Sequence, residues 1–322
     1  MSTYNTIKPI RSTLVLLFFL CFYSVPALAF DIFLGTAGPG TFSHFTGRVL
    51  ERTINKQIKD IHCKALAGSG DIHNLTNLQQ GSLDIALIDS RMLYDAMNKT
   101  GNFQFLDINY KSLSVLAPLY NVPITLIVRH NTGIKKLDDL KGKRINAGAP
   151  LSPQNYLFGT ILTAKRWSKK DFMLVTEISD SQSQDTMAFC HGIIDAMIHI
   201  GIHPAPSLEQ LFKLCEADMA DMNDSDIDKL VSGHPAFSKF IIPSGTYTGQ
   251  TDINTLGTQT ILVASKDLDE ETVYKILDAI FSDGKRLSNA HPALFLQKPD
   301  ISKTKSMGIN LHAGAVKYFS RH

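Results

Sequence analysis

The sequence predicts an α/β fold, with strands alternating with crossover helices around a mostly parallel sheet. Three observations carry the prediction. Apolar runs of strand length recur at 30–34, 61–65 and 83–88. A segment with apolar residues at helical spacing follows each of them, and the joints are turns rich in glycine and hydroxyl groups. In open sheets of this kind ligands bind at the carboxyl ends of the strands, so those turns are where function is expected.

The first turn runs Gly35-Thr36-Ala37-Gly38-Pro39-Gly40-Thr41-Phe42 and leads into a helix with Phe42, Phe45, Val49, Leu50 and Ile54 on one face. Glycines let backbone come close to a bound group, and the first N–H groups of a helix have no partner inside it. Such a turn can hold an anion without a cationic side chain, although a plain tight connection would read the same way. A second turn, Gly68-Ser69-Gly70-Asp71, opens a helix carrying Ile72, Leu75 and Leu78 that Gly81 ends, and the strand 83–88 finishes at Asp89-Ser90 before a helix over 91–98. The strand ends thus present Thr36, Gly40 and Thr41, then Ser69 and Asp71, then Ser90.

Residues 100–111 read as a loop, 113–119 and 124–128 as two strands either side of Pro123, and 133–143 as a short helix stopped by glycine. The turn 148–154 and the helix behind it, with Leu157, Ile161 and Leu162, repeat the opening device and point to a second lobe. Further helices are expected at 183–191 and 207–214, strands at 193–200 and 260–264, and a strongly amphipathic helix at 270–282 whose acidic first turn suits the helix dipole. The aspartate-rich run 218–228 suggests calcium, but it lacks the sixth-position glycine and distal glutamate of an EF-hand loop, so helix capping is the expectation.

Ahead of all this stand Lys8 and Arg11, an uncharged apolar run over 14–25, and Ala27-Leu28-Ala29. These are the three parts of a secretory signal peptide, and the run is shorter than the ~20 residues a membrane span needs. Cleavage after Ala29 is expected to deliver the mature chain to the periplasm. Removing Lys8 and Arg11 leaves 30 basic residues against 30 acidic ones, a balance that argues against nucleic acid and against insertion of the mature chain at an anionic membrane. Cys63, Cys190 and Cys215 remain, enough for one disulfide at most.

No nucleophile elbow, His-Glu-x-x-His, Walker loop or Cys-x-x-Cys is present. His199 and His203 sit four apart, but at the end of a strand running into a proline turn, where helical metal-ligand geometry does not apply. Ser69 and Ser152 lack a base nearby in sequence and read as hydrogen-bond donors, and neither a cofactor nor a metal is expected.

Taken together, these residues resemble the TAXI family of substrate-binding proteins, the extracytoplasmic receptors of one class of TRAP transporters. The resemblance rests on Gly35-Thr36 with Gly40-Thr41-Phe42; on Gly68-Ser69, Asn74-Leu75 and 84–90; on 137–145; on Asp195-Ala196 with His203-Pro204-Ala205-Pro206; on 243–250; and on Leu311-His312-Ala313-Gly314-Ala315. It implies a type II periplasmic-binding-protein fold with lobe I at 30–128 plus 258–322, lobe II at 129–257, and hinge crossings near 127–129 and 256–262. A small carboxylate or amino-acid-like ligand would lie between the lobes, held by helix N-termini at Thr41, Asp71 and Gln154 and by Thr36, Gly40, Phe42, Ser69, Ser90, Ser152 and Asn155. Residues 246–250, with Tyr247, would line the rim. The partner implied is the multispan TRAP membrane subunits. Two departures stand out: Leu151-Ser152-Pro153-Gln154 replaces the family's Gly-Ser-Gly-Thr, and His203 replaces its tyrosine, introducing a group that titrates near neutrality when unperturbed. A sensor signalling to a membrane partner needs the same cleft, and a serine hydrolase using Ser69 or Ser152 is the remote alternative.

Overall fold

The computed structural model describes Met1, 30–180, 183–295 and 301–322; the leader lies outside the described residues. The strands are β1 (Phe30–Thr36), β2 (Ile61–Ala67), β3 (Ile85–Asp89), β4 (Leu113–Arg129), β5 (Arg144–Asn146), β6 (Leu174–Thr176), β7 (Ala196–Ile200), β8 (Ala217–Ala220), β9 (Ser238–Ile242) and β10 (Ile253–Ser265). The helices are α1 (Phe42–Gln57), α2 (Asp71–Gln80), α3 (Ser90–Asn98), α4 (Pro153–Lys165), α5 (Gln184–Cys190), α6 (Pro206–Leu214), α7 (Ser225–Gly233), α8 (Glu270–Ser282), α9 (Gly284–Ala290), α10 (Ser302–Ser306) and α11 (Ala313–Arg321).

The strands lie in the order β2-β1-β3-β10-β4-β7-β5-β6, with β8 beside β4 and β9 beside β10. Parallel pairing holds among β1, β2 and β3 and again among β5, β6 and β7, as the alternation of strands and helices predicts. Between the two groups run the long antiparallel strands. β4 pairs with β10 as far as Pro123 and with β7 and β8 from Ile124 on, while β10 pairs with β9 before Gly257 and with β4 and β3 after it.

Helices cover both faces of each group. In the first lobe, Leu50 and Ile54 of α1 and Ile276 and Ile280 of α8 pack on Ile32 and Leu34, and Leu75, Leu78 and Leu93 of α2 and α3 pack on Ile88 opposite. In the second, Leu157, Phe158 and Ile227 bury against Ile145 and Leu126, and Phe189, Leu208 and Leu211 against Ile127 and Met219. The 3.6-residue spacing of these apolar positions is what makes each segment helical in place.

Pro123 does not divide two strands; β4 runs through it. A proline costs a strand only where its N–H would have met a neighbour. Pro118 stands at a register shift opposite Ile261, and Pro123 at the point where β4 exchanges partners. The expected helix at 133–143 is instead a 3₁₀ turn, Leu137–Leu140. It is bounded by Gly133 and Gly142, both at positive φ, and its entry is tied by Asp139 accepting from the amides of Lys135 and Lys136. In the aspartate-rich run, Asp224 caps α7 by accepting from the amides of Asp226 and Ile227, and Lys165 pairs with Asp224 and Asp138.

Cys190 and Cys215 form a disulfide that joins the ends of α5 and α6. Cys63 is buried beneath α1, where desolvation first and the Glu51 charge second push its thiol up to about 12. Replacing Cys190 and Cys215 together by serine is expected to cost about 2–4 kcal/mol, read as a lower melting temperature with an unchanged far-UV spectrum. Native-state alkylation should leave Cys63 unmodified.

Candidate functional site

Where the carboxyl ends of the strands of both lobes meet, the chain leaves a cavity of about 570 Å³. Ser69, Asp71, Asp89, Arg91 and Asn102 line it from the first lobe, and Ser152, Asn155, Tyr156, Ile200 and Phe237 from the second. A side recess of about 230 Å³ shares Asp71 and Asp89 and adds Phe42, Ser43, Tyr120 and Thr260. An outer recess of about 460 Å³ lies between Gly40, Thr41, Phe42 and Phe45 on one side and His199, Ile200, Gly201, Ile202, Ala205 and Ser207 on the other.

Several expected residues therefore come together. Ser69, Asp71, Ser152 and Asn155 line the main cavity, Phe42 both recesses, and Gly40 and Thr41 the outer one. Others are engaged in the scaffold. Thr36 is fully buried, with its hydroxyl 3.0 Å from the Leu66 carbonyl oxygen and 2.9 Å from His44 Nδ1, which ties β1 to β2 and α1. Ser90 Oγ donates to the Ala236 carbonyl (2.8 Å) and accepts from the Gln259 amide (3.0 Å). Gln154 Nε2 donates to Asp180 Oδ2 (2.8 Å).

The expectation of three open helix N-termini also changes. Thr41 Oγ1 accepts from the His44 amide at the start of α1. Ser152 Oγ accepts from the Asn155 amide at the start of α4, where Pro153 has no N–H to offer. The N-cap of α2 is Gly70, which brings no side chain to its first amides. Of the three, α2 is the terminus left without a side-chain cap, and it opens on the main cavity.

His203 and Tyr247 do not line the cavity. Tyr247 is 4% exposed; its Oη accepts from the Ala205 amide (2.8 Å) and lies 2.7 Å from His203 Nδ1. His203 Nε2 lies 2.8 Å from Thr125 Oγ1, so both ring nitrogens have a hydrogen-bond partner. Burial, with His199 beside it, pushes His203 down to about 4, so it is neutral at pH 7 and does not titrate near neutrality as an unperturbed histidine would. The pair braces the turn into α6.

The electrostatic centre of the cavity is an aspartate pair. Burial raises Asp71 to about 7, and the Asp89 charge adds to it, opposed by the Asp89 backbone and by Arg91. Asp89 is raised by burial against the pull of Thr258, whose hydroxyl donates to Oδ2 at 2.5 Å, and of Arg91. The sequence reading missed Asp89, Arg91, Asn102, Tyr156, Phe237 and Thr258. Asp89 and Arg91 flank Ser90 at a strand end and Tyr156 follows Asn155, so a wider window at the same turns finds them. Phe237 and Thr258 arrive from distant segments and carry no local signal.

The model of the NMT1-like family matches residues 34–321. Among solved structures the chain is similar to a TctC solute-binding protein from Polaromonas without ligand (TM-score 0.60, 13% identity, 92% of this chain and 98% of that one). It is also similar to the periplasmic aliphatic sulphonate-binding protein SsuA from Escherichia coli (0.50, 15%, 91% and 83%), and to a probable amino-acid ABC transporter extracellular-binding protein from Bacillus subtilis (0.50, 14%, 83% and 98%). At such identities the likeness establishes the fold, the two-lobed α/β architecture of periplasmic binding proteins.

Two outcomes follow from this chemistry. The folded state holds the Asp71 proton more tightly than the unfolded chain does, so ionisation erodes stability from an unfolded carboxyl pKa of about 3.9 up to about 7, and the loss is complete above that. Asp71→Asn should therefore raise the melting temperature at pH 8.5 and leave it unchanged at pH 4. Tyr247→Phe orphans His203 Nδ1 and the Ala205 amide, and should cost about 1–3 kcal/mol in denaturant melts.

Proposed function

The chain belongs to the NMT1-like family, and we propose that it is an extracytoplasmic solute-binding receptor of the TAXI kind. On this reading it captures a small amino-acid-like ligand between its lobes by hinge closure and hands it to a TRAP-type membrane transporter. We assign 30–123 with 258–322 to one lobe and 124–257 to the other, behind a leader cleaved after Ala29; the first crossing falls where β4 changes partners after Pro123 rather than at the expected 127–129, because Leu126 and Ile127 pack in the second lobe. Hinge closure is favoured by ligand because only the closed form lets both walls touch it at once.

The observation that carries the reading is the cavity, built from both halves of the chain with apolar walls and opposed charges. Ile72, Leu151, Tyr156, Ile200 and Phe237 supply apolar surface. The uncapped start of α2 and the hydroxyls of Ser69 and Ser152 suit a carboxylate. Asp71 and Asp89, crowded together and resisting ionisation, suit a protonated amine, whose charge would let both ionise. A simple dicarboxylate would meet two aspartates with nothing to offer them, which makes an amino-acid-like ligand the better fit of the two classes. Ser152 Oγ accepts from the Asn155 amide as the cap of α4, which leaves its O–H to donate to a carboxylate. Among the described residues no helix is long and apolar enough to cross a membrane.

The test uses mature protein freed of co-purified ligand by unfolding and refolding, melted with amino acids, with their deaminated acids and with simple amines. An amino acid at a hundredfold excess over its dissociation constant should add about 2.7 kcal/mol, and its deaminated analogue much less. Because the amine pairs best with ionised Asp71, the stabilisation should grow from pH 6 to pH 8. Equal shifts from the deaminated acids would remove the amine from the reading, and no shift with any of the three classes would remove the ligand class altogether.

A further inference from the structure

We propose that Arg91 and Tyr156 form a clasp that holds the two lobes closed, and that Asp95 is the residue that positions Arg91 in it. The guanidinium carbon of Arg91, on α3 of the first lobe, lies 4.3 Å from the centroid of the Tyr156 ring, on α4 of the second. Both residues line the cavity, from opposite walls. A guanidinium over an aromatic face at this distance is attracted to the ring's quadrupole, and more strongly where water is excluded.

The two partners are held very differently. Arg91 is pinned: Nη1 donates to Asp95 Oδ2 at 2.9 Å and Nη2 lies 3.0 Å from Met92 Sδ. Asp95 is itself 3% exposed, accepts at Oδ1 from the Thr100 hydroxyl (2.7 Å), and lies beside Gly101, where an added Cβ would come within 2.9 Å of Oδ2. Thr100, Asp95 and Arg91 thus form a rigid bracket within the first lobe. Tyr156 is 39% exposed, and among the described residues Arg91 is the cation its ring meets.

A ring left exposed on the first turn of α4 adds little to its own lobe's core. Its contact with Arg91 exists only while the lobes are together, so its free energy counts toward the closed form alone. Other contacts also join the lobes: Ser90 Oγ to the Ala236 carbonyl, Lys303 Nζ to the Phe237 carbonyl and Ser238 Oγ, His291 Nε2 to the Pro204 carbonyl, and the Tyr94 and His234 rings, 4.5 Å apart; the Ser90 bond sits beside the shared strands, where a hinge motion displaces atoms least. The clasp acts at the cleft walls, where displacement is larger. It rests on the hinge-closure reading above but not on the ligand class, since it depends on the lobes and not on any ligand.

The experiment measures lobe separation in the ligand-free mature protein by pulsed electron resonance. Spin labels are placed at Lys56→Cys and Lys170→Cys, both exposed; Cys63 is buried and the other two cysteines are bridged. The parent should show a closed population, and Tyr156→Leu should lower the closed-to-open ratio about 2- to 30-fold. Tyr156→Phe should keep the parent ratio, and Tyr156→Trp, with the stronger aromatic face, should raise it; a purely structural role for the residue would not produce that gain. Asp95→Asn should shift the ratio the same way as Tyr156→Leu but by less, and Thr100→Val serves in its place if the buried carboxylate is needed for folding. A Tyr156→Leu distribution that matches the parent, or a parent with no closed population, overturns the clasp. No shift on loosening Asp95 by either route overturns its positioning role.

Discussion

The antiparallel ladder between β4 and β10, residues 113–123 against 257–265, is the constraint on which the other features depend. Both strands continue past it into the neighbouring group, so each lobe is completed by backbone that also belongs to the other. The approach is close enough to dictate residue type. A Cβ on Gly257 would lie 2.9 Å from Pro123 Cα and closer still to the Val122 carbonyl oxygen, so glycine is what lets the two chains pass. Because β10 is paired on both sides over 260–264, with β3 and β4, the lobes keep their register while a few dihedrals at the crossing remain free to bend.

Given that frame, the cleft acquires its chemistry from strand ends that no single segment contains. β3 contributes Asp89, the first position of α2 contributes Asp71, and β10 contributes Thr258 beside them. The result is an acid pair in a low-dielectric wall, an arrangement that costs stability when empty and is relieved by a cation. Arg91 faces the same cavity but is drawn aside by Asp95, which leaves the aspartates less than fully compensated. A cleft that looks anion-seeking from its glycine turns and serines thus carries a second, opposite preference.

Much of the architecture was legible in the linear pattern. The helix 270–282 has the boundaries its sequence predicts, because five apolar residues at 3.6 spacing and an acidic first turn are local signals. The alternation of strands and helices, and Gly81 ending α2 in the left-handed region, were equally local. Misreadings came where a local rule met a tertiary exception. Pro123 reads as a break in the sequence, yet β4 changes partners there and runs on, and 133–143 has helical composition but two flanking glycines that leave room for one 3₁₀ turn.

For the cleft the division is sharper. Residue type and spacing were sufficient to pick the turns at 35–42, 68–71 and 148–155, because a strand end followed by a helix start is a sequence-local geometry that exposes backbone amides whatever the rest of the chain does. Which side chains at those turns are free was a tertiary decision. Thr36 is consumed by Leu66 and His44, Ser90 by Ala236, and His203 by Tyr247 and Thr125, and each partner lies where only packing puts it. Charge was decided the same way: Asp71 is an ordinary carboxylate in the chain and becomes reluctant to ionise only when folding buries it beside Asp89, since desolvation and pairwise Coulomb energy depend on distances that sequence does not contain.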